Sequence, residues 1–105
     1  MSAFVAGEMP PRPTCPRHIG HRPPCDYYKP AGIPLRDLSE VVLAADELEA
    51  MRLADVESLY HAEAAARMGV SRQTFDRIVQ RGRAKVARAL CEGSALRIDR
   101  PVAQD

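Results

Sequence analysis

The stretch His61–Arg81, HAEAAARMGVSRQTFDRIVQR, decides the fold. Its first eight residues favour a short helix, and Gly69 ends that helix because glycine adopts left-handed backbone geometry readily. Ser71 is a favourable N-cap residue, so a second helix is predicted to begin at Arg72. The pattern therefore predicts a short helix, a tight turn and a longer helix.

Seven positions in this stretch suit the close packing of a helix-turn-helix. Ala65 is small where the two helices must cross, and Gly69, four positions later, has no β-carbon at the turn. The residues expected to face inward are all apolar: Ala64, Met68, Val70, Phe75 and Ile78. The second helix is predicted to continue towards Gly93, with Val86, Ala89 and Leu90 extending its apolar face and Gly82 weakening its middle.

Proline separates an arm from the helical part of the chain. Eight of the nine prolines lie between Pro10 and Pro34, and proline disfavours helical geometry in itself and in its predecessor. We therefore predict an extended, proline-rich N-terminal arm over residues 1–35, a helical domain over 36–98 and a flexible tail over 99–105. Tyr27, Tyr28 and Ile33 are expected to pack the arm onto the helices.

Two further elements complete a fold that is predicted to be mainly α. Ala45–Asp55 has apolar residues at helical spacing (Leu48, Met51 and Leu53, continued by Val56) and acidic residues in its first turn, which suit the helix dipole. Ala95–Ile98 is interpreted as a short C-terminal strand lying against Glu40–Leu43.

Composition bounds the class of protein. The chain has 105 residues, of which 46% are hydrophobic and 28% charged, which is typical of one globular domain. It has no apolar run of the roughly 20 residues needed to span a bilayer, and its three cysteines do not indicate a disulfide framework. A cytoplasmic protein is expected. No phosphate-binding glycine loop or nucleophile–base motif is present, so we predict no enzymatic activity.

The net charge of +1 conceals a strong segregation of charge. Residues 61–90 carry seven basic and two acidic side chains, a net charge of +5, whereas residues 36–60 carry −5. A basic block on a helix-turn-helix indicates nucleic-acid binding. The acidic segment 46–57 is interpreted as a solvated face and a candidate surface for a protein partner.

Burial of Phe75 and Ile78 would turn other side chains of the second helix outward. In a helix-turn-helix the start of the second helix enters the major groove. Arginine suits guanine, glutamine suits adenine and aspartate suits cytosine. The predicted base-contacting residues are Arg72, Gln73, Asp76 and Arg77, and the predicted phosphate-contacting residues are Ser71, Thr74, Arg81, Arg83, Lys85 and Arg88.

Longer motifs carry a resemblance to known families. HAEAAARMGVSRQTFDRIVQRGRAKVARAL resembles region four of bacterial sigma factors. KPAGIP, DELEAMRLAD and GVSRQTF, within roughly Arg12 to Ile98, resemble a family of small predicted DNA-binding proteins known as domain of unknown function 134 or uncharacterised protein family 0251. The resemblance implies a sigma-region-four-like fold and a DNA-binding role.

Two departures limit what the resemblance implies. Asp76 stands where sigma factors often carry arginine, so their promoter specificity is not transferred to this chain. Ala44–Ala45 stands where family members often have a threonine-containing helix start, so weaker capping, by Asp46, is expected.

A second cluster, with the spacing C-x2-H-x2-H-x3-C, offers zinc-binding chemistry. Its members are Cys15, His18, His21 and Cys25. The spacing is cramped and its prolines restrict bending, so no metal or cofactor is expected, and zinc bound to these four residues is the alternative. Cys91 is interpreted as a small, partly buried apolar residue.

The sequence thus favours a sequence-specific protein that binds double-stranded DNA, a transcriptional regulator without enzymatic activity. Three or four base contacts, each worth roughly 1–3 kcal/mol, are few for selecting a genomic site, so a homodimer or RNA polymerase is an expected partner. One alternative is a protein-interaction module of the transcription machinery that reads no bases. Another is a metal-sensing regulator that uses the Cys/His cluster.

Overall fold

Three helices and a three-stranded sheet form the described part of the chain. The computed structural model describes residues 18–20 and 22–99. The elements in chain order are β1 (Tyr27–Tyr28), β2 (Glu40–Leu43), α1 (Ala45–Met51), α2 (His61–Met68), α3 (Arg72–Glu92) and β3 (Ala95–Ile98). A 3-10 turn over Leu35–Asp37 precedes β2, and a π-helical turn over Arg52–Val56 follows α1. The prediction of a mainly helical fold with a short C-terminal strand is confirmed.

The sheet joins the two ends of the described chain. Its strand order is β1-β3-β2, with β3 antiparallel to β1 and parallel to β2. Glu40 lies opposite Ala95 and Leu43 lies opposite Ile98. Parallel strands need a long crossover, and α1, α2 and α3 together supply it. The pairing predicted between Ala95–Ile98 and Glu40–Leu43 is therefore correct.

The core lies between the three helices. Its members are Ala50, Leu53, Ala64, Ala65, Met68, Phe75, Ile78 and Val79, with Val70 packed at its edge. The apolar residues predicted to face inward around the turn all belong to it. Ala65 and Ala64 are small and fully buried, which lets α2 and α3 approach closely.

The end of α1 differs from the prediction of one helix over Ala45–Asp55. The backbone widens after Met51, and the Glu57 amide donates to the carbonyl of Arg52 at 2.9 Å, five residues back. Ser58 then takes a left-handed conformation with φ of 59°. This widening rotates Val56 out of the apolar stripe, and its side chain is 75% exposed. The expectation that Val56 continues the buried face is wrong.

Gly82 is a packing position at which α3 continues without a break. The helix runs without interruption for 21 residues, and Gly82 is buried within it. A β-carbon placed on Gly82 would lie 2.9 Å from Met51 Sδ and 3.1 Å from the carbonyl oxygen of Glu47. Glycine therefore allows α1 and α3 to pack in direct contact.

The last turns of α3 correct two expectations. Leu90 is 79% exposed and Cys91 is also exposed. Each lies seven residues, or about two turns, after another exposed residue, Arg83 and Ala84 respectively. The C-terminal part of α3 thus buries Ala89 but turns Leu90 and Cys91 to solvent.

Strand pairing holds the arm near its end. Tyr27 and Tyr28 pair with Arg97 and Leu96 of β3, while the side chain of Tyr28 is 51% exposed. Ile33 is exposed as well. The expectation that Tyr28 packs onto the helices holds in part, because Tyr28 borders a shallow pocket with Val86 and Ala89 of α3, whereas Ile33 is exposed.

The arm is also attached at α1 and at the end of α2. The His18 amide donates to the carbonyl of Met68 at 3.0 Å, and the Gly20 amide donates to Glu49 Oε2 at 2.9 Å. The predictions that fall on residues 1–17, His21 and residues 100–105 lie outside the described part of the chain. Within that part, no helix combines the length and the apolar character needed to cross a membrane.

Candidate nucleic-acid interface

The start of α3 is built by the turn that precedes it. Gly69 takes left-handed geometry with φ of 71°, and the Val70 amide donates to the carbonyl of Ala65 at 3.0 Å. Ser71 then caps α3, because its Oγ accepts from the Thr74 amide at 3.1 Å. The predicted end of α2 at Gly69 and the predicted start of α3 at Arg72 are both confirmed.

Side chains at the start of α3 divide into a buried and an exposed set. Phe75 and Ile78 are fully buried, which turns Arg72, Gln73 and Arg77 to solvent. Within the described residues, these three side chains make no hydrogen bond or ion pair. Two guanidinium groups and one amide are thus presented together with their donors available.

Asp76 is held in a different way from the other three predicted base-contacting residues. Its Oδ1 lies 2.7 Å from Nδ1 of His61, at the first position of α2. The His61 ring packs edge-on against Phe75, with centroids 5.1 Å apart and an interplanar angle of 66°. The carboxylate of Asp76 therefore connects α3 to α2.

The predicted phosphate-contacting hydroxyls are linked to each other. Ser71 Oγ donates to Thr74 Oγ1 at 3.0 Å. Ser71 uses this hydroxyl in capping α3 as well, so it is occupied on both sides. The Thr74 hydroxyl accepts this bond, which leaves its own hydrogen available to an incoming acceptor.

Two predicted phosphate-contacting cations meet a buried carboxylate. Glu47 of α1 is 2% exposed, and it accepts from Arg81 Nε at 3.1 Å and from Lys85 Nζ at 2.8 Å. Its Oε1 also accepts from the Ala44 amide at 2.9 Å. Burial raises the pKa of Glu47, but the hydrogen bonds from Lys85, Ala44 and Arg81 outweigh it, so the pKa lies below its ordinary value.

A third predicted phosphate-contacting cation, Arg83, also pairs with a carboxylate of the acidic segment. Arg83 contacts Asp55 through two bonds, Nη2 to Oδ1 at 2.6 Å and Nε to Oδ2 at 3.1 Å. The Asp55 carboxylate raises the pKa of the Arg83 guanidinium further. Arg88 is exposed and makes no hydrogen bond or ion pair with any other described residue. The basic helix is thus partly neutralised by the acidic segment before it.

The acidic segment 46–57 is not a freely solvated face, which corrects the expectation from its charge. Glu47 and Glu49 are both buried. Glu49 forms two hydrogen bonds with Arg52, at 2.8 and 2.9 Å, besides its bond to Gly20. Glu47 is buried where α1 packs against α3, so it meets cations of that helix instead of water, whereas Glu49 is buried beside Arg52 and the Gly20 backbone.

Sequence reasoning missed two residues of this region, His61 and Glu47. Glu47 occupies the third position of α1, where a glutamate reaches back to the backbone of the N-cap residue. That local signal was available, and the expected capping residue, Asp46, is the wrong one. No local signal links His61 to Asp76, which lies fifteen residues away.

Two of the four candidate zinc ligands can be placed. His18 and Cys25 are both exposed, and the ring of His18 lies over Gly69, 3.5 Å from the position that a β-carbon would take there. Among residues 18–20 and 22–99, no three or more potential ligands gather at one point. Cys15 and His21 lie outside these residues, so the zinc alternative stays untested.

Comparison with known proteins identifies relatives along most of the chain. A UPF0251 protein of Syntrophobacter fumaroxidans is 60% identical over 88 residues, which are 84% of this chain and 56% of that protein. A UPF0251 protein of Moorella thermoacetica is 54% identical over 89 residues, which are 85% of this chain and 60% of that protein. The chain therefore spans little more than half of the length of these two relatives.

A shorter relative is covered more fully. A UPF0251 protein of Vibrio vulnificus is 56% identical over 86 residues, which are 82% of this chain and 86% of that protein. No solved structure matches the chain. The family model described as "Protein of unknown function DUF134" matches residues 9–100. By these matches the chain belongs to the DUF134 family of proteins of unknown function.

Proposed function

We propose that this protein binds double-stranded DNA in a sequence-specific manner and acts as a transcriptional regulator without enzymatic activity. The observation that carries the proposal is the exposure of Arg72, Gln73 and Arg77 on the first turns of α3, directly after a tight turn that packs α2 behind them. This is the part of a helix-turn-helix that enters the major groove. Their hydrogen-bond donors have no partner in the described chain.

The chemistry of these side chains suggests a purine-rich strand. Arginine donates two bonds to guanine, and glutamine pairs with adenine through two bonds. Gln73 and Arg77 are four residues apart, so they lie on one face and about 6 Å apart along the helix. That distance is close to two base steps of about 3.4 Å. A site with guanine and adenine within a few base pairs is therefore expected.

Contacts to the DNA phosphates would come from residues on either side of the base-contacting side chains. Thr74 keeps a free hydroxyl hydrogen, and Arg88 extends the positive surface along α3. Arg81 and Lys85 share the single charge of Glu47, so this trio keeps a net charge of +1 that phosphates can attract. Arg83 is the weakest candidate, because Asp55 already engages it through two bonds.

Selection of bound duplexes from a random pool, followed by sequencing, tests the proposal. The wild-type protein is expected to enrich one motif at low salt, and log affinity should fall linearly with log salt concentration, with a slope of about −0.9 per phosphate contact. Arg36→Ala is a matched control, because it removes an exposed arginine from the turn before β2 and should retain the motif. Failure to retain any duplex at low salt would refute the proposal.

The two alternatives lead to other outcomes of the same experiments. A protein-interaction module would retain no motif and would instead depend on a protein partner such as RNA polymerase. A metal-sensing regulator would bind DNA only with zinc present or only after its removal. A homodimer would enrich a two-fold symmetric motif, because half-site symmetry follows protein symmetry.

A further inference from the structure

His61 is not one of the predicted base-contacting residues, yet it contacts Asp76, which is one of them. Its Nδ1 lies 2.7 Å from Asp76 Oδ1. The side chains are only partly exposed, 34% for His61 and 44% for Asp76. The ring is also fixed by its edge-on contact with the buried Phe75. The carboxylate of Asp76 is therefore directed at α2.

Without that contact Asp76 would have another partner. Arg72 lies four residues before Asp76 on α3, and side chains at this spacing are neighbours on a helix surface, where opposite charges attract. In the structure this pair does not form, and Arg72 has no hydrogen-bonding or ionic partner in the described part of the chain. The His61 contact thus separates a carboxylate from a guanidinium that would otherwise meet it.

We propose that His61 is a positioning residue that holds the Asp76 carboxylate away from Arg72 and so keeps the Arg72 guanidinium available to guanine. The inference rests on the proposed DNA-binding function. It also assigns Asp76 to positioning and not to base contact: its Oδ1 is engaged by His61, so a cytosine contact would have to come from Oδ2 alone. Phosphates of the duplex would repel a released carboxylate, which favours the His61-bound state when DNA is present.

The proposal predicts that the effect of removing His61 on base discrimination depends on Asp76. Loss of His61 should be harmful only while Asp76 is present to pair with Arg72. The His61→Ala variant should therefore discriminate less well at the guanine that Arg72 contacts, and removal of Asp76 in the same protein should restore discrimination. If the bond were only structural, His61→Ala would weaken binding to all duplexes alike and leave the discrimination between them unchanged.

The experiment compares two duplexes: the sequence selected by the wild-type protein, and the same sequence with one guanine replaced. That guanine is the one whose preference disappears in Arg72→Ala. His61→Ala should lower the affinity ratio of the two duplexes by about two- to tenfold, the range expected from one side-chain hydrogen bond. His61→Ala/Asp76→Ala and His61→Ala/Asp76→Asn should both recover the wild-type ratio, because neither retains a carboxylate at position 76.

A second variant guards against loss of folding. His61→Phe keeps a ring against Phe75 but has no donor for Asp76, and it should show the same lowered ratio at a melting temperature near that of the wild type. An unchanged ratio in both His61 variants, or a double variant that fails to recover, would overturn the inference. So would loss of a cytosine preference in Asp76→Ala, since Asp76 would then read a base.

These results are distinct from failure of the proposed function. If the wild-type protein retains no duplex, both the DNA-binding proposal and the role of His61 are refuted. If it retains a motif that is insensitive to His61, only the role of His61 is refuted. Arg36→Ala serves again as the control that changes an arginine outside α2 and α3.

Discussion

Glu47 of α1, a buried carboxylate, and Lys85 of α3 meet at 2.8 Å, and Arg81 shares the same carboxylate at 3.1 Å. The acidic and basic parts of the chain, which the sequence presents as separate blocks, are thus joined to each other. Much of the positive charge on α3 is therefore committed to the fold, and Arg72, Arg77 and Arg88 carry the charge that has no partner among the described residues.

Replacement of Glu47 should destabilise the protein. Glu47→Gln removes the charge that Arg81 and Lys85 share, and hydrogen bonds to charged groups contribute about 1.5–3 kcal/mol each. Since both cations can regain water, we expect the free energy of unfolding at pH 7 to fall by only about 1–3 kcal/mol in total. Urea denaturation measures it. The control is Glu63→Gln, which affects an exposed pair with Arg67 and should cost less than about 1 kcal/mol.

The Glu47 carboxylate should make the free energy of unfolding depend on pH. The pKa of Glu47 is lowered in the folded protein, so the folded state binds fewer protons than the unfolded state at intermediate pH. The contribution of Glu47 is therefore complete above the unfolded pKa of about 4.3 and is lost as pH falls through the lower folded value. The difference between wild type and Glu47→Gln should shrink across that range in urea titrations. A difference that stays constant there would contradict the lowered pKa.

Gly82 should not tolerate a side chain. In Gly82→Val, the new β-carbon would overlap Met51 Sδ and approach the carbonyl oxygen of Glu47, at 2.9 and 3.1 Å. Met51 can move but the backbone of α1 cannot do so freely, so we expect a loss of about 1–3 kcal/mol by overpacking. Helix propensity alone predicts a gain, which makes the sign decisive. The melting temperature of Ala84→Val, an exposed position on the same helix, provides the comparison.

The crossing of α2 and α3 should depend on a small residue at position 65. Ala65→Leu would force the helices apart and cost about 1–3 kcal/mol. Ala66→Leu places the same side chain at an exposed neighbouring position and should change stability by less than about 0.5 kcal/mol. Thermal unfolding followed by circular dichroism distinguishes the two. Equal melting temperatures would show that the helices do not pack through Ala65.

Variants along α3 should separate base contacts from phosphate contacts. Arg72→Ala and Gln73→Ala are expected to relax the preferred sequence, whereas Arg88→Ala should weaken all duplexes alike and reduce the salt slope by about 1. Lys85→Ala and Arg83→Ala should also weaken binding, and their melting temperatures should fall, because Lys85 loses its ion pair with Glu47 of α1 and Arg83 loses its ion pair with Asp55 of the π-helical turn. If all these variants lose equal affinity with no change in motif, α3 contacts only the DNA backbone.

Elemental analysis of protein purified without chelator or added metal tests whether the N-terminal arm binds zinc. We expect less than stoichiometric metal, because the spacing of Cys15, His18, His21 and Cys25 is cramped and its prolines restrict bending. About one zinc per chain, lost in Cys15→Ser/Cys25→Ser, would overturn this expectation. It would also favour a metal-sensing regulator over a regulator that needs no metal.

Local residue chemistry was enough to locate the central part of the fold. Gly69, Ser71 and the spacing of Ala65, Phe75 and Ile78 act within one or two helical turns, so the sequence by itself determined where α2 and α3 begin and end. The same holds for the short strand at Ala95–Ile98, which lies between a glycine and a proline. Exposure of Arg72 and Gln73 followed from the burial of Phe75.

Contacts between distant residues were decided only by tertiary structure. The periodicity of α1 placed Glu47 among acidic neighbours, but whether it faces water or Arg81 depends on how α1 packs against α3, which Gly82 permits. The contact between His61 and Asp76 likewise arises because the turn at Gly69 folds α2 back along α3. The order of charges along a sequence does not show which residues of other elements they will meet. A buried acid is stable only where cations or hydrogen-bond donors reach it, so these pairings were decided by the packed structure.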